Sequence, residues 1–454
     1  MRTRRKLSMW SALPPYLGGK RRLCPLIFRE IDRLVPRRRW PEITFLDAFL
    51  GGGSVSLYAK AQGFRVVATD IATRAITVGE AVIANSRVRL TREDVLRLLA
   101  RPADPPGRVE TQFVPSVFTK NVGRFMDAAF ETADQTGDVA KAALLRLLAI
   151  RVALLAHPMS QVRAGTAHRA STGEWESITE SCLYHYTEAF RLTTPARLWE
   201  IAQQLNAGVF QGEATIVQRS VLEALPEIEA DVAYFDPPYP GVMSYEKEYR
   251  VIDQLLEGTA RPTSPFTAKD GASLLDGLFE RATHIPVWIL SLGNEVVTIE
   301  ELEAKMVKLG RQTKAIAIKY QHLPAVSTAE KKRENREFVV VGWAPEAPLL
   351  REASGSALGL ADGDALGVVA RHVDSDPGGP EPTAAGALAR DRRQLSQPAA
   401  ADQVAPLGGQ AVAPVEARVD DPDAVLVEAA MDGDGERFVG HGSTVARTPD
   451  RSQG

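Results

Sequence analysis

The chain has 454 residues, and its hydrophobic content of 44% and charged content of 24% are ordinary for globular proteins. Its two cysteines, Cys24 and Cys182, exclude a disulfide framework and a zinc cluster, and they indicate a reducing, cytoplasmic setting. The net charge of -3 is unevenly distributed. Residues 345–454 carry -9 and residues 1–344 carry +6, an excess of basic groups that is compatible with a polyanionic partner.

The first 90 residues predict a β-α-β unit. A basic N-terminal segment and a helix over residues 21–35 precede a strand at 43–47, a helix at 54–61 and a second strand at 64–69. Residues 1–6 are positively charged but no apolar stretch follows them, so we expect no secretory signal.

Residues 91–205 have a different pattern, because helices with long apolar stripes interrupt the alternation of strands and helices. Three charged residues within the most apolar stripe, 139–156, favour a helix of a soluble core over a membrane span. The alternation resumes with a helix at 196–205 and strands at 214–217 and 232–235. We therefore interpret 91–205 as an insertion in an α/β domain.

The C-terminal part of this domain predicts helices at 272–283 and 299–309, a strand at 287–292, and an edge hairpin of strands 314–320 and 337–341. From residue 344 onward the chain is rich in Ala, Gly, Pro and Asp. Such a segment buries too little apolar surface to offset its chain entropy. We therefore expect 344–454 to be disordered and a chain truncated after Trp343 to remain active.

A glycine-rich turn lies between the first strand and its helix, in the segment Phe45-Leu-Asp-Ala-Phe-Leu-Gly-Gly-Gly-Ser54. Glycines permit close approach of a ligand, and the helix N-terminus offers free N–H groups, so the turn favours a nucleotide-like cofactor. Asp47 at the strand end favours a cationic group, such as the sulfonium and ammonium of S-adenosylmethionine. Asp70 ends the next strand, where a carboxylate can bind both ribose hydroxyls. A purely structural tight turn is the alternative.

A second motif, Asp236-Pro-Pro-Tyr239, follows the apolar strand at 232–235. The prolines fix the backbone and remove two N–H donors, while their carbonyls remain as acceptors beside an aromatic ring. Such a site suits a planar group that donates hydrogen bonds through an exocyclic amine, as a nucleobase does. The alternative is a strand end without further function. Near the N-terminus, Lys20 could meet a cofactor carboxylate, and the alternative for it is a solvated surface lysine.

These features occur in one order along the chain: Tyr16-Leu-Gly-Gly-Lys20, the glycine-rich turn, a helical insertion, Asp236-Pro-Pro-Tyr239 and a terminal hairpin. In that order, over residues 10–343, the chain resembles the Dam-like (class alpha) N6-adenine-specific DNA methyltransferases. The resemblance implies a Rossmann-like α/β fold with a mostly parallel sheet and an antiparallel edge hairpin. It also implies a cofactor-binding part at 1–90, a target-recognition insertion at 91–205 and a catalytic part at 206–343, followed by the tail.

The resemblance assigns roles to individual residues. S-adenosylmethionine would be contacted by Tyr16, Lys20, Asp70 and Asp236, and its pocket would be shaped by Asp47, Phe49, Gly51 and Gly53. The target base would be held by Asp236, Pro237, Pro238 and Tyr239. The sequence departs from the family where an acidic residue often precedes the catalytic aspartate, since Gln218-Arg219-Ser220 stands there, with Ser220 as a possible substitute. The histidines show no metal-ligand spacing, so we expect no metal.

The implied reaction is methyl transfer to the exocyclic N6 amine of an adenine flipped out of double-stranded DNA. Asn121, Arg163 and His168 are candidates for base contacts, and the basic N-terminus and residues 331–333 for phosphate contacts. We expect a cytoplasmic, bacterial or phage-encoded monomer without a membrane partner, with a cognate restriction endonuclease as a further partner. The alternatives are the same fold acting on cytosine N4 or RNA adenine, a catalytically silent DNA-binding module, and a dehydrogenase, which the absence of a GxGxxG motif disfavours.

Overall fold

A computed structural model describes most of the chain up to Ala347. The described residues are 7–100, 105–156, 172–173, 180–239, 248–258, 264–268, 271–293, 297–319 and 336–347. The predicted disorder of the tail beyond residue 347 concerns residues outside these ranges. So do the predicted roles of Arg163, His168 and residues 331–333.

Seven strands form one sheet in the order β3-β2-β1-β4-β5-β7-β6. Strands β1 to β5 are parallel, whereas β7 runs antiparallel to both of its neighbours. The strands are β1 (Thr44–Asp47), β2 (Arg65–Thr69), β3 (Ala214–Val217), β4 (Val232–Phe235), β5 (Val287–Gly293), β6 (Gln312–Lys319) and β7 (Arg336–Trp343). The predicted Rossmann-like α/β fold is confirmed, and so is the antiparallel hairpin, whose strand β6 forms the sheet edge.

Helices connect the strands and cover the sheet. In the described part of the chain they are α1 (Cys24–Leu34), α2 (Ser54–Ala61), α3 (Thr73–Val78), α4 (Arg92–Ala100), α5 (Arg108–Phe113), α6 (Lys120–Gln135), α7 (Val139–Ala156), α8 (Glu180–Leu192), α9 (Pro195–Asn206), α10 (Val221–Ala224), α11 (Arg250–Glu257), α12 (Leu274–Arg281) and α13 (Ile299–Lys308). A π-helical turn, Gly79–Ala84, continues α3.

Two apolar cores lie on opposite faces of the sheet, as the strand periodicity of two requires. Along β4, Val232 and Tyr234 contribute to one core while Ala233 and Phe235 contribute to the other. All four side chains are buried, which explains why this strand is a continuous apolar run.

Helices α4 to α9 occupy the connection between β2 and β3, where the sequence predicts an insertion. The long helix α7 is buried over most of its surface and joins the same core as the sheet residues Phe45 and Val66. Its one buried charge, Arg151, donates to the Leu13 carbonyl at 3.0 Å and to Gln204 Oε1 at 3.2 Å. No helix in the described ranges is both long and apolar enough to cross a membrane.

Two details differ from the expectations. Helix α11 lies in a segment for which the sequence analysis predicts no helix, and its residues Ile252 and Leu255 are buried in the core. The domain also extends past Trp343, because the Ala344 N–H donates to the Pro286 carbonyl at 2.9 Å and Ala347 is buried. The first four residues of the predicted tail therefore belong to the folded part of the chain.

Candidate active site

Three carboxylates meet where the strand order reverses. Asp47 ends β1, Asp70 follows β2 and Asp236 follows β4, and β1 lies between the other two strands. Because the carboxyl ends of parallel strands lie at one edge of the sheet, all three side chains line one open cavity. Such a cavity with an acidic floor suits a ligand that carries positive charge.

The glycine-rich turn takes its conformation from two glycines and Asp70. Gly51 and Gly53 have positive φ angles of 50° and 77°, which glycine adopts without strain, and Gly53 caps the N-terminus of α2. The two oxygens of Asp70 accept hydrogen bonds from the N–H groups of Gly51 (2.9 Å) and Ala72 (2.8 Å). Burial raises the pKa of Asp70 and these hydrogen bonds lower it, with burial dominant.

The middle glycine of the turn accommodates a side chain of the protein itself. A Cβ atom at Gly52 would lie 2.5 Å from Cβ of Tyr16. A Cβ atom at Gly53 would lie 3.1 Å from side-chain atoms of Ile83 and Val78, and Gly53 does not line the cavity. Gly51 and Gly52 border the cavity, so close approach of a ligand to their backbone stays a prediction, whereas Gly53 makes room for neighbouring side chains.

Asp47 is buried beneath the cavity with half of its carboxylate satisfied. Its Oδ2 accepts a hydrogen bond of 2.6 Å from Ser56, whereas its Oδ1 has no hydrogen-bond partner among the described residues. Burial, together with the nearby charges of Asp236 and Asp70, raises the pKa of Asp47 to about 7 in spite of the Ser56 hydrogen bond and an interaction with the Phe49 backbone N–H, which both lower it. An unsatisfied buried acceptor is costly, so the site is suited to a donor or a cation supplied by a ligand.

Lys20 is buried in the site, and the alternative of a solvated surface lysine is wrong. Its ammonium lies 2.9 Å from Asp236 Oδ1 and 3.5 Å from Glu337 Oε1, and it donates to the Gly18 carbonyl at 2.9 Å. It also lies 5.2 Å from the ring centroid of Tyr239. The two N-terminal glycines before Lys20 thus bring a cation directly to the aspartate of the Asp-Pro-Pro-Tyr motif. The predicted contact of Lys20 with a cofactor stays a prediction.

Glu337, on β7, is a site residue that sequence reasoning missed. Its side chain is fully buried, and both of its oxygens lie within hydrogen-bond distance of the Tyr239 hydroxyl, at 2.8 and 2.9 Å. Tyr239 itself does not line the cavity, since its hydroxyl is directed to Glu337. A lone acid in the otherwise apolar run 337–341 is the signal in the sequence that could have identified it.

The opposite wall of the cavity is apolar. The rings of Phe49 and Phe266 meet edge to face with 5.1 Å between their centroids, and Val221 lies on the same wall. Ser220 lines the cavity at the position where the sequence lacks an acid, while the neighbouring Arg219 forms an exposed ion pair with Glu227 at 2.7 Å. A planar aromatic group would fit against this wall.

A second set of residues absent from the sequence predictions supports the N-terminal loop. Tyr249 stacks on Tyr16 with 5.1 Å between ring centroids, and its hydroxyl accepts a hydrogen bond of 2.9 Å from the Leu17 N–H. Arg74 lies over the Tyr249 ring at 4.5 Å and forms a buried ion pair with Asp253 of α11. No motif in the sequence indicates these contacts, because Tyr249 and Asp253 belong to helix α11 and its N-terminal cap, which the sequence does not predict.

The structure brings most of the predicted site residues together. Those that line the cavity are Tyr16, Lys20, Asp47, Phe49, Gly51, Asp70, Asp236, Pro237 and Pro238. Gly53 and Tyr239 are adjacent but face other side chains. In the described part of the chain no cluster of three or more His, Cys, Asp or Glu residues could hold a metal ion. Asn121 links α6 to the end of α8 by donating to Ala189 O (2.9 Å) and Thr193 Oγ1 (2.7 Å), and its contact with a base stays a prediction.

Comparison with known proteins gives matches to a family and to a relative. Residues 16–106, which include the N-terminal loop and the glycine-rich turn, match the family model of the D12 class N6 adenine-specific DNA methyltransferases. The chain is also 27% identical over 340 residues to the type II methyltransferase M2.HphI of Haemophilus parahaemolyticus. That alignment covers 71% of this chain and 95% of the relative.

Proposed function

From the premise that this chain is an enzyme of the N6-adenine-specific DNA methyltransferase family, we propose that it transfers a methyl group from S-adenosylmethionine to the N6 amine of adenine in double-stranded DNA. The observation that carries this proposal is the position of Asp236. Its carboxylate borders a cavity that already contains Asp47 and Asp70, beside the Pro237 backbone.

The residues of the cavity fit S-adenosylmethionine, which supplies a methyl group bound to a positively charged sulfur. Asp47 offers an unsatisfied buried acceptor to the cationic part of the cofactor, and Asp70 is the candidate for its ribose hydroxyls. The wall of Phe49 and Phe266 suits the adenine ring, with Ser220 as the polar group nearby. Tyr16 closes the cavity on the side of the N-terminal loop.

Asp236 and Pro237 would act on the target amine. Its lone pair is delocalised into the adenine ring, which makes it a poor nucleophile. The Asp236 carboxylate and the Pro237 carbonyl accept its two hydrogens, which favours a tetrahedral nitrogen with its lone pair directed toward the cofactor. Positive charge that develops on this nitrogen lies next to a fixed carboxylate, and such preorganised stabilisation of developing charge is a major source of catalysis.

The base has to leave the DNA duplex to reach Asp236, because an enzyme cannot reach the target atom of a base that is stacked inside a duplex. We assign Tyr239 to stacking on the flipped base and Pro238 to holding the loop rigid. Because the relative is a type II methyltransferase, we also propose a cognate restriction endonuclease as a functional partner. Recognition of the DNA sequence is assigned to the helical insertion at 91–205.

The test is methyl transfer from labelled S-adenosylmethionine to unmethylated genomic DNA, with the methylated bases identified afterwards. We expect N6-methyladenine from the wild-type protein and no transfer from Asp236→Ala. The variant should fold, since Glu337 still compensates the buried Lys20 ammonium. Asp276→Ala, which removes a largely exposed aspartate paired with Lys305, is the matched control and should retain wild-type transfer.

Two results would overturn the proposal. One is near-normal transfer by Asp236→Ala, which would refute the site. The other is the absence of cofactor binding by the wild-type protein in calorimetry, which would favour a silent DNA-binding module. Product on cytosine N4 or on RNA would retain the site but change the substrate.

A further inference from the structure

Lys20, Asp236, Tyr239 and Glu337 form one connected group, which we call the Lys20 cluster. The Lys20 ammonium lies between the two carboxylates, at 2.9 Å from Asp236 and 3.5 Å from Glu337. It also lies 3.3 Å from the Tyr239 hydroxyl, which in turn donates to Glu337. Both ends of the Asp-Pro-Pro-Tyr motif therefore contact the Lys20 ammonium, and Glu337 contacts both that ammonium and the Tyr239 hydroxyl.

Most of this cluster is buried, so its charges depend on one another for compensation. The side chains of Lys20 and Glu337 are 3% and 0% exposed, and that of Asp236 is 18% exposed. A buried charge needs compensation by a partner with good geometry. One ammonium shared by two carboxylates provides this compensation. Of the two carboxylates, that of Glu337 is fully buried.

We propose that Glu337 is a positioning residue for methyl transfer, an inference that rests on the proposed function. Glu337 holds the Tyr239 hydroxyl and thereby fixes the position of the ring that meets the target base. It also shares the Lys20 ammonium with Asp236. The pairing of Lys20 with Asp236 is therefore weaker, and the Asp236 carboxylate retains the capacity to accept a hydrogen from the amine. Glu337 acts through Tyr239 and Lys20 and does not contact the base.

Neutralising Glu337 changes both contacts. In Glu337→Gln the Tyr239 hydroxyl loses a charged acceptor, and Lys20 is left with Asp236 as its remaining carboxylate in the cluster. The stronger pairing of Lys20 with Asp236 then competes with the amine. Strand β7 holds residue 337 in register with Gly293 of β5 and Ile318 of β6, so an isosteric glutamine occupies the same place.

The experiment compares binding with chemistry in Glu337→Gln. A synthetic duplex containing the mapped methylation site is bound to enzyme and cofactor, and the single-turnover rate of methyl transfer is measured. We expect that rate to fall by roughly tenfold to hundredfold, less than for a group that touches the transition state directly. Dissociation constants for DNA and S-adenosylmethionine should stay within about threefold of wild type, because the residue contacts neither ligand.

A fluorescence readout separates positioning from base flipping. With 2-aminopurine at the target position, the variant should still show the increase in fluorescence that reports an extrahelical base. Glu300→Gln, an exposed glutamate of α13, is the matched control and should behave as wild type in every measurement. A purely structural role of Glu337 would lower the free energy of unfolding and leave the single-turnover rate of the folded enzyme unchanged, which would overturn the proposal.

A second variant covers the case in which Glu337→Gln does not fold. Tyr239→Phe retains the ring and removes the hydroxyl that contacts Glu337, and we expect it to lower the single-turnover rate with little change in binding. When both variants fold, the double variant should lose less than the product of the two single effects, since the residues share one contact. A wild-type rate for Tyr239→Phe refutes the inference. Inactivity of the wild-type protein itself refutes the proposed function instead.

Discussion

Arg74 and Asp253 form a buried ion pair, with 2.5 Å between Nη1 and Oδ2, that connects α3 to α11. The Arg74 guanidinium also packs on the Tyr249 ring, which stacks on Tyr16 at the mouth of the cavity. Helix α11, which follows the Asp-Pro-Pro-Tyr motif along the chain, thereby supports the N-terminal loop that lines the site.

Removing one member of this pair should be costly. Asp253→Ala leaves the guanidinium of Arg74 buried without this carboxylate, and we expect a loss of about 3–5 kcal/mol in the free energy of unfolding. Urea denaturation measures it. Glu93→Ala, which breaks an ion pair with Arg97 whose side chains are more than 70% exposed, is the control and should change stability by at most about 1 kcal/mol. Equal effects of the two variants would contradict the buried character of the pair.

Stability of the cofactor-free protein should decrease as pH rises toward neutrality. The folded pKa of Asp47, about 7, lies above the ordinary value of 3.8, so the folded state binds the extra proton between these values. Unfolding free energy therefore falls as pH rises through this window, by at most about 4 kcal/mol, and levels off above it. Asp47→Asn should lose this contribution, which urea denaturation at a series of pH values detects. Parallel stability curves for variant and wild type would refute it.

Binding of S-adenosylmethionine should have the opposite pH dependence. A cationic ligand favours the ionised form of Asp47, so affinity should fall as pH drops below about 7, by up to about tenfold per pH unit. Isothermal titration calorimetry measures this trend. In Asp47→Asn the affinity should be weak throughout and lose this part of its pH dependence. A wild-type affinity that does not change between about pH 5 and pH 8 would exclude Asp47 as a partner of the cation.

Gly52→Ala should damage the cavity by displacing Tyr16, which lines it. The new Cβ atom would meet Tyr16 at 2.5 Å, and we expect displacement of that side chain with a stability loss of about 1–3 kcal/mol. Cofactor affinity measured by calorimetry should fall as well. Gly137→Ala is the matched control, because no atom lies within 4 Å of a Cβ at this position. Normal affinity in Gly52→Ala would show that Tyr16 is not needed in its present position.

The boundary of the folded part can be tested by truncation. A chain ending after Ala347 should retain the unfolding free energy and cofactor affinity of the full chain. A chain ending after Trp343, the boundary expected from composition, loses the hydrogen bond to Pro286 and the buried Ala347. We expect it to be about 1–2 kcal/mol less stable in urea denaturation. Equal stability of the two truncated chains would restore the earlier boundary.

Local sequence patterns predict much of the fold, because strands such as 232–235 are uniformly apolar and turns such as 51–53 contain glycine. They also identify Asp47, Asp70 and Asp236, since each follows a strand whose end faces the same edge. Glu337 and Asp253 escape such reasoning, because their partners are distant in sequence and a single acid in a strand or helix has no distinctive spacing. The burial of Lys20 depends on the same long-range contacts.

Glu337 lies near the C-terminal end of the described domain, whereas Lys20 lies near its beginning. During synthesis on the ribosome the lysine emerges early, and its second acid becomes available only after β7 has been translated. A nascent chain that stops before β7 therefore holds an ammonium and a phenol without the buried carboxylate that they share in the complete domain. The group around Asp236 is thus complete only when β7 has been added between β5 and β6.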